Sequence, residues 1–378
     1  MIKLTDKKTI HLLEIIAMVG EINADKLIKF FNSGSYMKKK ITVLKKEGYI
    51  KKVNNGDEDV LRLTTKAKKQ LKKYLPKEYG DMIIGPIAVN LVKGEKRRNN
   101  RRNNLIDVLI HLHNTGVKIF FDEKIICKSK AWQTGTDNTD KYYAKNSEFY
   151  TSTEIRFFIP EYKKASGSRA LGVLITEGKV FVIYMIGDKT IWRQEREINY
   201  QTITLNAISR NIFGSYAEVG MILFGKEEKN IVNILERYDK VRPGARVVPT
   251  YKLSNMLFAL IDEKKDATID LMVNHSWLTN YLLEVNSRLI KYDETFPDFH
   301  GTQRNGREMI YFLFAFEFDV YKVARALDYG IDEKYDVRIA CYEFQKPFLE
   351  KFLDGKEHNV KIIPVSHKDK LKELKQDE

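Results

Sequence analysis

The sequence predicts an α+β / α/β protein in three parts: a small basic N-terminal domain, a mixed α/β body and a C-terminal α/β unit. Three observations support this fold class. Positive charge is concentrated at the N-terminus, and helix-period and strand-period segments alternate within the first 76 residues. Strands and helices alternate again from residue 309 onward. A length of 378 residues is likewise typical of two or three domains.

The net charge of +14 lies almost wholly in the first 110 residues. Residues 1–80 hold 19 Lys and Arg against 9 Asp and Glu, and residues 81–110 hold 6 against 3. Residues 111–378 hold 40 against 39. A lysine-rich genome would raise the charge everywhere, so it does not explain this asymmetry. A basic domain attached to a neutral body indicates a polyanionic partner for that domain.

The composition excludes several classes of protein. An apolar fraction of 43% is enough to build cores, so a disordered chain is excluded. Cys127 and Cys341 are far apart, which argues against a zinc or disulfide framework and indicates a reduced compartment. The N-terminus lacks a signal-peptide pattern, and no apolar run approaches the ~20 residues that cross a bilayer. We therefore expect a cytoplasmic protein with no membrane partner.

Three helices are predicted at the start of the chain. The first covers about residues 6–19 and is followed by a glycine. A short second helix is expected to start at Ile22–Asp25 and to end by Gly34. The third helix, at 35–47, begins with Ser35 as its N-cap.

Two short strands and a further helix complete the predicted N-terminal domain, residues 1–76. Strands at 49–53 and 60–63 flank a polar turn, and a helix capped by Thr64 or Thr65 ends before Pro76. This order of elements is that of a winged helix-turn-helix, whose third helix enters the major groove of DNA. Winged helices also bind proteins, so a protein-binding domain remains an alternative.

The DNA contacts follow from the faces of the third helix. Met37, Ile41 and Leu44 lie at core spacing, which leaves lysines on the other faces. The basic run at 96–102 suits phosphates or a narrow minor groove, although a solvated linker explains it equally well. The wing tip at 57–59 is acidic and would repel phosphate. The predicted DNA-binding residues are Ser35, Tyr36, Lys38, Lys39, Lys40, Thr42, Lys45, Lys46, Lys51, Lys52, Lys96, Arg97, Arg98, Arg101 and Arg102.

Four further segments are predicted after the N-terminal domain. Residues 77–104 are expected to be a basic linker, because they hold three glycines, a proline and the run KRRNNRRNN. An α/β domain with a β-hairpin follows at 105–250, a C-terminal α/β domain at 251–366 and a charged tail at 367–378. The hairpin is predicted from ALGVLIT and KVFVIYMI, which a two-residue turn separates.

The C-terminal domain is predicted from an alternation of elements. SNMLFALIDE predicts a helix and IYFLFAFEF a buried strand. VYKVARALDYG, DVRIACYEF, KPFLEKFL and VKIIPV then predict helix, strand, helix and strand. This alternation is typical of a small, mostly parallel sheet.

The body leaves an enzymatic alternative open. His-Leu-His at 111–113 and Tyr-Tyr-Ala-Lys at 142–145 match the metal and nucleophile motifs of HUH nicking enzymes. However, apolar residues from 105 to 112 recur at helical spacing, and on a helix residues i and i+2 point about 200° apart. The alternative function is a DNA-nicking or endonuclease-like enzyme of plasmid mobilisation that uses a metal and one tyrosine, which is Tyr142, Tyr143 or Tyr150.

The order of elements in the body is also that of restriction-endonuclease-like proteins. Their metal chemistry needs acids on the hairpin strands, and neither ALGVLIT nor VFVIYMI contains one. We therefore predict that such a fold would lack its catalytic residues. Glu317 and Asp319 could share a strand face, but a solvent-facing strand end is commoner. Because no phosphate-binding or dinucleotide glycine loop is present, we assign no catalytic residue, no metal and no cofactor.

The chain also resembles the replication-relaxation family, whose members are helix-turn-helix proteins of plasmids and integrative conjugative elements in low-GC Gram-positive bacteria. The resemblance spans most of the chain in order. Besides the predicted winged helix, it rests on NNLIDVLIHLHNTGVKIFFDEK, EFYTSTEI, SRALGVLITEGKVFVIYMIGDKTIWRQERE and FLFAFEFDVYKVARAL. It implies a DNA-binding protein of a mobile element that is linked to replication or transfer, and it carries over no catalytic residue.

Charge, motif order and resemblance lead to one expectation. We expect sequence-specific binding of double-stranded DNA in plasmid replication, transfer or transcription control. The expected partners are double-stranded DNA, replication or conjugation proteins and a second copy of the chain, since a symmetric homodimer is the default for such a regulator.

Overall fold

The protein has a mixed α+β architecture in the part of the chain that the structure describes. That part holds twelve α-helices and three β-sheets. Two compact units are distinguished, Met1–Val180 with Ile203–Glu218 and Phe181–Thr202 with Val219–Glu378. The structure, a computed structural model, describes residues 6–31, 34–55, 58–85, 96–125, 147–164, 168–176, 179–187, 194–209, 218–238, 256–261, 266–274, 281, 284, 290–292 and 294–366.

The first unit begins with three helices and three short strands. The boundaries of α1 agree with the prediction, because Asp6 caps its first turn and Gly20 follows at a φ of 87°. A left-handed φ suits glycine and ends the helix. The elements in chain order are α1 (Lys7–Val19), β1 (Ile22–Asn23), α2 (Ala24–Phe30), α3 (Gly34–Lys46), β2 (Ile50–Asn55) and β3 (Glu58–Leu63).

The three strands form an antiparallel sheet of order β1-β3-β2. The predicted start of the second helix at Ile22–Asp25 includes the observed start of α2 at Ala24, although the first two of these residues form a strand. Ile22 pairs with Leu61 as a short strand, and Asn23 then caps α2 by accepting a hydrogen bond from Asp25 N–H at 2.8 Å. The predicted cap of the third helix is also corrected, since Ser35 lies inside the first turn of α3.

The predicted basic linker at 77–104 is wrong where the structure describes it. α4 (Thr65–Tyr74) is capped by Thr64 as predicted, but α5 (Lys77–Ile84) follows at once. α6 (Lys96–Asn114) already contains the basic run. Apolar side chains of α5 explain its folding, because Tyr79 and Ile84 are buried. The glycines and the basic run masked this helical pattern in the sequence.

The first unit continues with β4 (Glu148–Thr151), α7 (Ser152–Phe158), a 3-10 turn (Pro160–Lys164) and β5 (Gly172–Thr176). β4 pairs with β5 in antiparallel register. A capping box begins α7, in which Thr151 and Glu154 each accept a hydrogen bond from the other's backbone N–H. After α6, Lys118 forms an isolated parallel bridge with Glu148 of β4.

Replacing Gly172 by alanine should destabilise the protein by about 1–3 kcal/mol. A Cβ atom at this position would lie 2.1 Å from the carbonyl oxygen of Tyr150 and 2.5 Å from Cζ of Phe149. The carbonyl belongs to β4, so it cannot move without disturbing the β4–β5 pairing. Thermal unfolding followed by circular dichroism measures the effect. Gly34→Ala is the control, because a Cβ there meets nothing within 4 Å; equal Tm values for the two variants would contradict the prediction.

Three further strands follow, which are β6 (Lys179–Ile186), β7 (Glu218–Gly225) and β8 (Met256–Leu260). Between β6 and β7 lie α8 (Gln194–Thr204) and a π-helical turn (Leu205–Ser209), and between β7 and β8 lies α9 (Glu228–Tyr238). The strand order β4-β5-β6-β7-β8 makes β5 and β6 neighbours, as the predicted hairpin requires. The helix predicted for SNMLFALIDE is wrong: its centre is β8, which pairs parallel with β7. All five residues of β8 are buried, and such a strand lacks the alternation that distinguishes it from a helix.

The second unit ends in a small sheet with the predicted character. β10, β11 and β12 are parallel, and β9 is antiparallel to β10. The sheet includes β9 (Gly301–Asn305), β10 (Glu308–Phe314), β11 (Asp336–Tyr342) and β12 (Val360–Val365), while the helices are α10 (Ala267–Asn274), α11 (Val320–Ile331) and α12 (Lys346–Leu353).

Asp319 lies beyond β10 rather than on it. Its carboxylate caps α11 by accepting hydrogen bonds from the backbone N–H groups of Tyr321 and Lys322 at 3.0 and 3.2 Å. Glu317 and Asp319 therefore do not share a strand face, which was the arrangement considered for these two carboxylates. The predicted tail at 367–378 lies outside the described residues.

Candidate nucleic-acid interface

One face of α3 is lined with exposed polar and basic side chains. Met37, Ile41 and Leu44 are buried on the opposite face. At 100° per residue, the exposed side chains cover an arc of roughly 120°. Within the described residues the four lysines of this arc form no ion pair, so their charges face solvent. The arc consists of Ser35, Lys38, Lys39, Thr42, Lys45 and Lys46, and we call it the α3 face.

Lys40 is not part of this face, which corrects one predicted DNA contact. Its side chain is only 8% exposed, and its ammonium group pairs with the carboxylate of Asp6. It also donates to the Tyr36 hydroxyl at 2.9 Å. The hydrogen bond from Lys40 holds the pKa of Asp6 below its usual value. Lys40 therefore anchors α3 to the start of α1, and Tyr36 is engaged in the same contact.

β2 contributes two exposed lysines, of which one is paired. The ammonium group of Lys52 lies 2.5 Å from the carboxylate of Asp59 on β3. The charge of this acid in the predicted wing tip is thereby balanced inside the hairpin. Lys51 is exposed and forms no ion pair with another described residue. Residues 56 and 57 lie outside the described residues, as does the side chain of Glu58.

Two arginines of the basic run, Arg101 and Arg102, connect elements of the first unit. Arg101 donates to the Ser152 hydroxyl at 3.0 Å and to the Ala170 carbonyl at 2.7 Å. Arg102 donates to Glu21 at 2.9 Å, a carboxylate that also accepts from Arg62 of β3 at 2.6 Å. Both guanidinium groups are thus engaged in contacts within the first unit, and their role as DNA contacts stays a prediction. The side chains of the predicted contacts Lys96, Arg97 and Arg98 lie outside the described residues.

α6 is fixed to the N-terminal elements by two buried or half-buried ion contacts. Besides the Arg102–Glu21 pair, Lys26 of α2 lies 2.6 Å from Asp107 of α6. The carboxylate of Glu21 is 4% exposed and bridges Arg62 and Arg102. Ion pairs withdrawn from water are costly to break once one partner is removed. The basic run is thus part of a docked helix rather than of a solvated linker.

A buried titratable network lies behind these elements. The Tyr79 hydroxyl is 3.1 Å from Glu14 and 2.9 Å from Glu154. Lys124, 1% exposed, lies 2.7 Å from the fully buried Glu154, and the Phe121 N–H donates to Glu14 at 2.9 Å. Burial raises the pKa of Glu14 to about 7. Because these groups have almost no contact with solvent, they are structural rather than a site for a ligand.

Sequence reasoning did not find this network or the surface lysines of α4. Lys69 and Lys73 are exposed on α4, and Lys68 is half-buried. The spacing of the lysines in TKAKKQLKKY, opposite the buried Ala67 and Leu71, was the available signal. The network had no sequence signal, since Glu14, Tyr79 and Glu154 come from three separate helices.

The residues of the nicking-enzyme alternative are not brought together. Both histidines lie on α6, as the spacing indicated, and the His113 ring stacks on Phe30 with centroids 4.6 Å apart. Tyr150 is buried and its hydroxyl donates to Glu148 at 2.5 Å. Residues 142–145 lie outside the described residues. No pair of imidazoles faces one metal position in this part of α6.

One other cluster has the composition of a metal site. Ligand atoms of His11, Asp122 and Glu123 lie within 4.8 Å of one another. The ammonium group of Lys7 is 2.9 Å from Asp122 and 3.6 Å from Glu123, and His11 is 2.8 Å from Asp122. Lys7 therefore already balances the carboxylates, and we assign no metal to this cluster.

Comparison of the chain with protein-family models, curated proteins and solved structures finds no match. The resemblance described from the sequence thus stays a prediction. None of the helices in the described part of the chain is long and apolar enough to cross a bilayer.

Proposed function

We propose that this protein binds double-stranded DNA in a sequence-specific manner through an N-terminal winged helix-turn-helix at residues 6–75. The observation that carries the proposal is the α3 face, whose four lysines lie on the solvent side of a 13-residue helix and form no ion pair with any residue that the structure describes. Such a helix is about 20 Å long and fits a major groove that is roughly 12 Å wide.

The surrounding elements support α3 in this role. α1 and α2 precede it, and the antiparallel strands β2 and β3 follow it, which is the order expected for a helix-turn-helix with a wing. The Lys40–Asp6 contact and the buried Met37, Ile41 and Leu44 hold α3 by its inner side. Its outer side is therefore free to approach a polyanion without loss of packing.

The biological role is proposed from the sequence resemblance. It is that of a DNA-binding protein of a mobile element, acting in plasmid replication, transfer or transcription control. In this proposal the remainder of the chain binds replication or conjugation proteins or a second copy of the chain. The asymmetry of charge supports the assignment of DNA binding to the N-terminal domain and of protein binding to the remainder. Residues 111–378 are nearly neutral, with 40 basic against 39 acidic residues.

Replacing Lys38 and Lys39 together by alanine should abolish preferential binding to the target site. Each good base contact contributes about 1–3 kcal/mol, so affinity for the site should fall about 30-fold or more. Fluorescence anisotropy against fragments that tile the gene's own genetic element measures the site preference of the wild type and of the variant. Binding by the variant with unchanged affinity and preference would contradict the proposal.

A matched control removes the same number of charges from the second unit instead of from α3. Lys351→Ala with Lys356→Ala removes two exposed lysines of the second unit. This control should bind the target fragment like the wild type. Circular dichroism of all three proteins establishes that the substitutions leave the fold intact.

A further inference from the structure

A second basic surface lies on β2 and α4, outside the α3 face. It consists of Lys51 on β2 and of Lys68 and Lys69 on α4, and we call it the β2–α4 surface. Lys51 and Lys69 are exposed, and Lys68 is half-buried. None of these three ammonium groups forms an ion pair with another residue in the described ranges. They are therefore available to an anion that approaches from solvent.

Hydrogen bonds join this surface to the end of α3. The Thr64 N–H donates to the Tyr49 carbonyl at 2.9 Å, and the Thr64 hydroxyl donates to the Gly48 carbonyl at 2.7 Å. Lys66 donates to the Glu47 carbonyl at 2.8 Å and lies 4.3 Å from the centroid of the Tyr49 ring. The first turn of α4 is thus fixed to Glu47–Tyr49, the segment that directly follows α3.

The β2 strand adds its lysine to the same side. Lys51 pairs in register with Arg62 of β3, two residues before the Thr64 cap of α4. Burial lowers the pKa of Lys68, and the neighbouring ammonium groups of Lys72 and Lys51 lower it further. Lys51 of β2 thus lies near Lys68 and Lys72 of α4, and Lys69 is exposed on the same helix. Like charges in such proximity repel one another, and a bound anion relieves that repulsion.

The acids of this region do not neutralise the surface. Lys72 pairs with Asp81 of α5, and Asp59 is paired with Lys52 at 2.5 Å. Because Asp59 and Asp81 are already paired with other lysines, neither carboxylate neutralises Lys51, Lys68 or Lys69. An extended polyanion that lies along α3 would therefore be favoured on the α4 side of the hairpin.

We propose that the β2–α4 surface binds the phosphate backbone of the same DNA duplex whose bases face α3. The proposal rests on the proposed function, because it assigns a second contact to the same ligand. This contact is sequence-independent: lysine ammonium groups pair with phosphates and carry no base information. It contributes affinity to every fragment and does not set the site preference.

The salt dependence of binding tests this contact. We would compare the wild type with the variant Lys51→Gln, Lys68→Gln, Lys69→Gln on the preferred fragment, using anisotropy over a series of salt concentrations. Loss of three phosphate contacts should make the slope of log K against log salt shallower by about 2 to 3. At 0.15 M salt the affinity should fall about fivefold for each lost contact, for preferred and other fragments alike.

Two companion variants make the result specific. Lys351→Gln, Lys356→Gln, Lys361→Gln removes the same charge from exposed positions of the second unit and should leave the slope unchanged. An equal change in this control would show that net charge, not the β2–α4 surface, sets the slope, and would overturn the proposal. Lys51→Gln with Lys69→Gln spares the half-buried Lys68 and should reduce the slope by about 2 even if the triple variant is unstable.

The two proposals fail in different ways. A wild-type protein that prefers no fragment contradicts sequence-specific recognition by α3. Specific wild-type binding with an unchanged slope in the Lys51 and Lys69 variant overturns only the β2–α4 contact. Loss of site preference in that variant would also overturn it, because a phosphate contact weakens all fragments equally.

Discussion

Lys124→Met is expected to destabilise the first unit by about 3–5 kcal/mol. Lys124 and Glu154 are 1% and 0% exposed, and their charged atoms lie 2.7 Å apart. Removing the ammonium group leaves the Glu154 carboxylate buried without its counterion, although it still accepts hydrogen bonds from Thr151 N–H and Tyr79. The cost of an unpaired buried charge exceeds the cost of the lost contact itself.

Hydrogen exchange of the α1 and α7 amides, read by mass spectrometry, measures the free energy of opening in this region. The double variant Lys124→Met, Glu154→Gln is the matched control. It removes both charges, and the glutamine oxygen can still accept the hydrogen bond from Thr151 N–H. We expect the double variant to recover most of the stability. A double variant less stable than Lys124→Met would show that the penalty is not an unpaired charge.

Glu14→Gln is expected to remove a fall in stability between about pH 4.5 and pH 7. Burial raises the pKa of Glu14 from 4.5 to about 7. Between these values the folded state keeps the proton that the unfolded state releases, so the free energy of unfolding decreases as the pH rises. Above pH 7 the folded protein carries the whole penalty, on the order of 3 kcal/mol.

The geometry gives an independent reason for the proton on Glu14. The Tyr79 hydroxyl contacts both Glu14 and Glu154, but it has a single hydrogen to donate. Glu154 pairs with Lys124 at 2.7 Å and lies nearer to the Tyr79 hydroxyl than Glu14 does, so Tyr79 donates to Glu154. A protonated Glu14 can then donate to the Tyr79 oxygen, and a glutamine can do the same at every pH.

The measurement is the Tm of the wild type and of Glu14→Gln at several pH values from 4.5 to 8. The difference in stability between them should grow in favour of the variant as the pH rises and become constant above about pH 7. Other titrating groups contribute equally to both proteins and cancel in this difference. Glu78→Gln, an exposed carboxyl of α5, should show no such trend. A difference that does not depend on pH would contradict a raised pKa of Glu14.

The basic α3 face shows how far residue spacing predicts a site. Six of the predicted contacts, from Ser35 to Lys46, lie together on α3 as the helical period requires. The same spacing did not exclude Lys40, because its partner Asp6 is 34 positions away in the sequence. Arg101 likewise reaches the Ala170 carbonyl across 69 positions. A local pattern contains no information about such distant partners.

The sequence by itself determined the elements whose signals are local. Apolar periodicity and capping residues placed α1, α4 and α11, and the count of charges placed the basic region at the N-terminus. The tertiary structure decided which charges remain on the surface and which are buried in pairs. It also decided that MLFAL is a strand, because β7 provides its hydrogen-bond partners. The physical reason is the same in each case: burial and pairing depend on groups that only the folded chain brings together.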